Sequence, residues 1–242
     1  MTEEPYRWLE AINNRREYVR EQIKGGTPVF ALSRPEGILL LGVGQGQQSK
    51  VFEIYDRHAF TALGHPVDIE KLRQSAIEAA HLEGFNRSPA DVTLRRLISF
   101  ALSTSLKNAF EQIYAPPIMA EAIFAELGET PAQDVLVRVH YDGNHHYESS
   151  GVLLAFSNPQ REEEAAGWIR LAVKPSDPLS RAVSICLTGW TALMEEKPFA
   201  NLASPVEPLL QIEGRTVEAA LLDRKLTGRV RYRRLDLAAL PR

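Results

Sequence analysis

The sequence predicts an α+β fold of antiparallel sheets covered by helices, and three observations carry that prediction. Strand-like and helix-like segments come in runs: strands, a helix pair, strands, a second helix pair, strands. A parallel doubly wound sheet needs strict alternation instead. Turn signals stand between successive strands, at Arg34-Pro35-Glu36-Gly37 and at Asp142-Gly143. A chain of 242 residues with 44% hydrophobic content is long enough to bury a sizeable core, at the upper end of one domain.

Each element has a local cause. Residues 6–24 read as an amphipathic helix with Leu9, Ile12, Val19 and Ile23 on one stripe and Arg16 completing the spacing. Pro5 suits its start and Gly25-Gly26 its end. Strands follow near 28–33, 37–43 and 59–64, with the strand-like Val51–Ile54 ahead of the last. Two helices are expected near 67–83 and 91–113. Leu94, Leu97, Ile98, Ala101 and Leu102 form the buried face of the second, which Ser88-Pro89-Ala90-Asp91 caps and Pro116-Pro117 stops. Propensity leaves 118–127 open between helix and strand. Residues 135–141 alternate as a strand, and another is expected near 151–156. Helices near 160–172 and 178–194 precede a proline-containing loop at 195–208. Strands near 216–222 and 229–235 close the chain.

Composition narrows the function classes. Net charge is −3 with 24% charged residues, so nothing advertises a nucleic-acid or membrane partner. One cysteine, Cys186, rules out an intramolecular disulfide and suits a reducing compartment. Its apolar neighbours read as those of a buried structural thiol. No apolar run reaches membrane-spanning length, and the acidic start MTEEPYRW has no apolar core. A cytoplasmic protein is expected.

Several residues invite chemistry and fail its pattern. GVGQGQQSK, residues 42–50, looks like a phosphate loop, but Val51 follows Lys50 where Ser or Thr belongs, so a hairpin loop is expected. His140, Asp142, His145 and His146 are split by the Asp142-Gly143 turn and lack metal-ligand spacing. No metal and no cofactor is expected. Arg229, Arg231, Arg233 and Arg234 alternate with other residues on a strand, which fits a solvated face or a subunit contact.

One ordered set of segments resembles a known family. It comprises Arg15-Arg16-Glu17 through Lys24, Val29-Phe30-Ala31-Leu32, Gly37-Ile38-Leu39-Leu40-Leu41, then Lys50 through Arg57 and Ala59 through Gly64. The helix pair over 67–113, Tyr141-Asp142-Gly143, Val217 through Asp223 and Tyr232-Arg233-Arg234-Leu235 complete it. In that order, behind a leading helix, the set resembles bacterial alpha-type subunits of the proteasome core particle, of the N-terminal-nucleophile (Ntn) hydrolase superfamily.

The resemblance implies a four-layer α-β-β-α sandwich of two antiparallel sheets over residues 25–242. An N-terminal gate segment and helix would occupy residues 1–24. It implies a homo-oligomeric seven-membered ring stacked on catalytic beta-type subunits, with a ring-shaped AAA ATPase as activator. It places Lys50 and Gly26 in the pocket that receives the activator's terminal carboxylate. It makes Thr2, Glu3, Glu4, Pro5, Tyr6 and Arg7 the gate. It also frames a rival, a self-processing threonine peptidase using Thr27 with Lys50. Such an enzyme needs threonine at a free N-terminus, where the α-amine serves as its base. Pro28 follows Thr27, and Val43-Gly44 stands where catalytic relatives carry a carboxylate. Thr2 precedes a helix rather than a strand. The expectation is a subunit without catalytic residues.

Overall fold

The computed structural model describes residues 4–46, 48–205 and 209–240. Helix α1 spans Glu4–Ile23. Four strands follow: β1 Val29–Arg34, β2 Gly37–Gly44, β3 Val51–Tyr55 and β4 His58–Gly64. The first helix layer holds α2 Pro66–Asn86, α3 Leu94–Arg96 and α4 Ser103–Glu111, with a π-helical turn at Leu97–Leu102 joining α3 to α4. Then come β5 Ala120–Glu126, β6 Val135–Val139, β7 His145–Glu148 and β8 Val152–Ala155. Helices α5 Pro159–Ala172 and α6 Leu179–Met194 precede β9 Thr216–Asp223 and β10 Tyr232–Arg234.

The strands form two five-stranded sheets, ordered β10-β9-β2-β1-β8 and β3-β4-β5-β6-β7, and every pairing is antiparallel. Alternation along each strand sorts side chains between two cores. In β2, Leu39, Leu41 and Val43 point to α5 and α6, while Ile38 and Leu40 point to the other sheet. In β4 and β5, Phe60 and Phe124 stack at 5.2 Å on the face that meets α2 to α4, while Leu63 and Ile123 face the first sheet. The outcome is the expected four layers, helices outside two antiparallel sheets. Helix α1 joins the middle layer through Ile12, Val19 and Ile23.

The structure departs from the sequence reading in several places. β5, left open between helix and strand, is a strand buried along its whole length. Burial on both faces removes the alternation that would identify it. β3 is a full strand, and β7 is a separate edge strand paired with β6. β2 bears out the strand expected at 37–43 and runs one residue further, to Gly44, so the hairpin loop expected over residues 42–50 is shorter. Ser88 caps only the 3₁₀ turn Pro89–Asp91, and the next helix starts behind Thr93. β10 covers three residues of the expected 229–235. Leu9 is 52% exposed in the isolated chain, off the buried stripe. The leading helix begins at Glu4, so Glu4, Pro5, Tyr6 and Arg7 are helical rather than a segment ahead of the helix. Thr2 and Glu3 lie outside the described residues.

Candidate functional site

The ends of β1, β2 and β3 and the start of α2 enclose a cavity of about 420 Å³. Its lining includes Gly26, Thr27, Gly44, Lys50, Glu70 and Arg215. Gly26 is fixed by the exit from α1. Its N–H bonds the Ile23 carbonyl at 2.8 Å, and an added Cβ would sit 2.9 Å from that same oxygen. Only glycine therefore lets the backbone turn from helix into β1 while staying bare toward the cavity.

Lys50 is placed by β2 and β9. Gly42 lies beneath it, and a Cβ there would stand 2.8 Å from Lys50 Cβ. Glu218, opposite Gly42 across the β2–β9 pair, accepts from Lys50 N at 2.7 Å, Val51 N at 3.3 Å and Ser49 Oγ at 2.9 Å. Thr216 Oγ1 donates to the Gly46 carbonyl at 2.7 Å. The loop from β2 to β3 is thus tied at both ends to β9. Two backbone N–H groups take up one Glu218 oxygen and the Ser49 hydroxyl the other, and no side chain among the described residues pairs with the Lys50 ammonium. Burial pushes that amine down to about 8, the nearby Glu218 carboxylate opposes the shift, and the Arg215 charge adds to it.

Thr27 lines the same cavity but is engaged differently. Its side chain is buried, and Oγ1 donates to the Val43 carbonyl. Its nitrogen is an amide joined to Gly26, not the free amine that a terminal threonine uses as base.

The other candidates fall elsewhere. Cys186 is fully buried, and burial pushes its thiol up to about 12. His140 Nδ1 lies 3.2 Å from Glu121 Oε1, whereas His145 Nδ1 lies 2.9 Å from Ser103 Oγ and His146 is exposed on β7. They do not converge on one point. Arg229 pairs with Asp56 at 3.0 Å and Arg233 with Asp223 at 2.9 Å. Arg233 therefore closes the β9–β10 hairpin on itself, and Arg229 holds it to the turn between β3 and β4.

The sequence reading singled out Gly26 and Lys50, which line this cavity, and did not single out Glu218 or Arg215. Glu218 stood inside a stretch, Val217 through Asp223, that otherwise reads as a plain apolar strand. A lone carboxylate in such a strand was the available signal, because a buried acid needs donors. Nothing local marks Arg215, whose role depends on where the chain folds back.

Two antiparallel sheets between helix layers, with a leading helix packed into the sandwich, define the proteasome-type Ntn fold. No protein-family model matches the chain. It is 31% identical over 232 residues to the proteasome subunit alpha of Actinosynnema mirum, covering 96% of this chain and 83% of that relative. The proteasome subunit alpha of Geodermatophilus obscurus is 30% identical over 232 residues, 96% of this chain and 77% of the relative. That of Jonesia denitrificans is 30% identical over 229 residues, 94% and 91%. The chain belongs to the bacterial proteasome alpha-subunit family.

Proposed function

We propose that this chain is a non-catalytic alpha-type subunit that forms the seven-membered outer ring of a proteasome core particle. It stacks on beta-type catalytic subunits, controls substrate entry and docks a ring-shaped ATPase. The proposed place of action is the cytoplasm. Among the described residues no helix is long and apolar enough to cross a membrane. Residues 25–242 form the sandwich domain, and residues 1–24 supply the gate and the leading helix. Residues 2–7 are the proposed gate, now with Glu4 through Arg7 as the first turn of α1.

The observation that carries the docking role is the Lys50 ammonium facing a cavity without an acidic partner, next to the bare backbone of Gly26. A carboxylate entering a partly desolvated place needs a cation there, and Lys50 offers one. Thr27 supports the non-catalytic reading. Its hydroxyl is committed to the Val43 carbonyl.

The test is ATPase-driven degradation of a folded protein by assembled particles. Lys50→Ala is expected to weaken activator binding by roughly 2–4 kcal/mol per occupied site, a loss that multivalent attachment multiplies. Native mass spectrometry should still find intact rings. Equal degradation and equal activator binding in the two particles would remove Lys50 from the docking site.

A further inference from the structure

Two cations line the cavity beside Gly26 and Thr27, and the docking role accounts for only one of them. The second, Arg215, stands in the turn that leads into β9. It is half-buried, with its guanidinium carbon 6.0 Å from the centre of the Trp190 ring on α6. Among the described residues no carboxylate pairs with it. The acidic groups nearby are already engaged. Glu218 accepts from the Ser49 hydroxyl and the backbone of Lys50 and Val51, and Glu70 is bound by Arg73 and Gln74, which hold its carboxyl down at about 2. Lys50, Arg215, Glu218 and the Glu70–Arg73 pair together leave one net positive charge around the cavity.

We infer that Arg215 is the second half of a two-cation clamp, holding one terminal carboxylate between its guanidinium and the Lys50 ammonium. The inference rests on the docking role of Lys50. An ammonium is a point charge that accepts a carboxylate in many orientations, whereas a guanidinium offers parallel donors that fix its plane. The Trp190 face steadies the guanidinium from one side and leaves its N–H edge free. A single net charge matches one carboxylate and does not match a second acidic side chain. The clamp therefore makes Arg215 a specificity-determining residue, one that selects a free terminal carboxylate over a blocked terminus.

The test uses assembled particles and the C-terminal heptapeptide of the ring ATPase that stimulates them, made with a free carboxylate and with a terminal amide. Binding is read by fluorescence anisotropy at neutral pH and then at increasingly alkaline pH. Lys50→Ala should weaken the free-acid peptide by roughly thirtyfold or more and Arg215→Gln by roughly tenfold, and each should leave the amide within about twofold. Arg215→Lys should recover part of the loss. In Arg215→Gln the alkaline loss of binding should also move to higher pH, because no neighbouring cation then opposes Lys50 protonation. A mere packing role for Arg215 would not shift that limb. Unchanged free-acid binding in Arg215→Gln, or equal losses for acid and amide peptides, overturns the clamp. The docking role stands in that case provided amidation and Lys50→Ala still weaken binding. If neither weakens it, the docking role falls and the clamp falls with it.

Discussion

Lys50 is held in the fold at a cost, and the cost has a pH signature. Its amine titrates near 8 in the folded chain against 10.5 for an ordinary lysine. Below pH 8 it is charged in both states, and the folded state bears the full penalty of keeping that charge partly desolvated. Between about 8 and 10.5 the unfolded chain binds the extra proton, so rising pH favours folding. Lys50→Met is therefore expected to raise stability at neutral pH, on the order of 2–3 kcal/mol. The gain should shrink as pH rises through that window. Thermal unfolding of wild type and variant across pH checks it, and a constant difference at all pH values would contradict it. A buried lysine that costs stability fits the proposed docking role, in which its charge meets a ligand carboxylate.

The leading helix shows how one element is recruited by another. Arg15 on α1 donates to the carbonyls of Ala109 at 3.0 Å, Ile113 at 3.3 Å and Ala115 at 2.7 Å. These carbonyls lie at and beyond the C-terminal end of α4, where a helix leaves acceptors unsatisfied. Arg15→Ala should cost about 1–2 kcal/mol, since it strands partly buried acceptors and removes charge-assisted bonds. Denaturant unfolding measures this, and a change under 0.5 kcal/mol, the size expected of a neutral surface substitution, would show the contacts to be incidental. The same helix carries exposed Trp8 and Leu9 near its start, at 48% and 52%. In the gate proposal, removing residues 2–7 takes away the first helical turn as well as the residues before it. Peptide hydrolysis by the assembled particle without activator should then rise. No rise would separate this segment from gating.

Across the whole molecule, buried ions tie layers that hydrophobic contact alone would leave free to slide. Arg138 on β6 pairs with Glu121 on the neighbouring β5 and with Glu162 on α5, which covers the other sheet. At another edge, Arg224 after β9 pairs with Asp134 at 2.9 Å and bonds the Gly128 and Arg34 carbonyls. Each cluster crosses from one sheet to the other. Arg138→Met should destabilise by about 3–5 kcal/mol, because two carboxylates lose a buried partner. Acid should reveal the same network. Burial works to raise the Glu121 carboxyl, but the His140 hydrogen bond and the Arg138 charge prevail and hold it below the ordinary range. Its contribution is present above the unfolded carboxyl range and is lost as pH falls through the lowered folded value. Calorimetry of wild type and Arg138→Met at falling pH checks both points. Parallel curves would remove this network from the acid response.

The sequence by itself determined the order of strand and helix runs, and the family resemblance supplied the four layers. Turn chemistry, helix stops and the apolar stripes over residues 6–24 and 91–113 are local, and local patterns survive reading one residue at a time. The family resemblance pointed to Gly26 and Lys50, which the fold brings to one cavity. What the tertiary structure decided was everything that depends on burial from two sides or on distant residues meeting. β5 reads as neither helix nor strand because both its faces are buried. Glu218 and Arg215 lie more than a hundred and sixty positions from Lys50. They reach its cavity only because β9 pairs with β2, a long-range antiparallel contact that no local signal encodes.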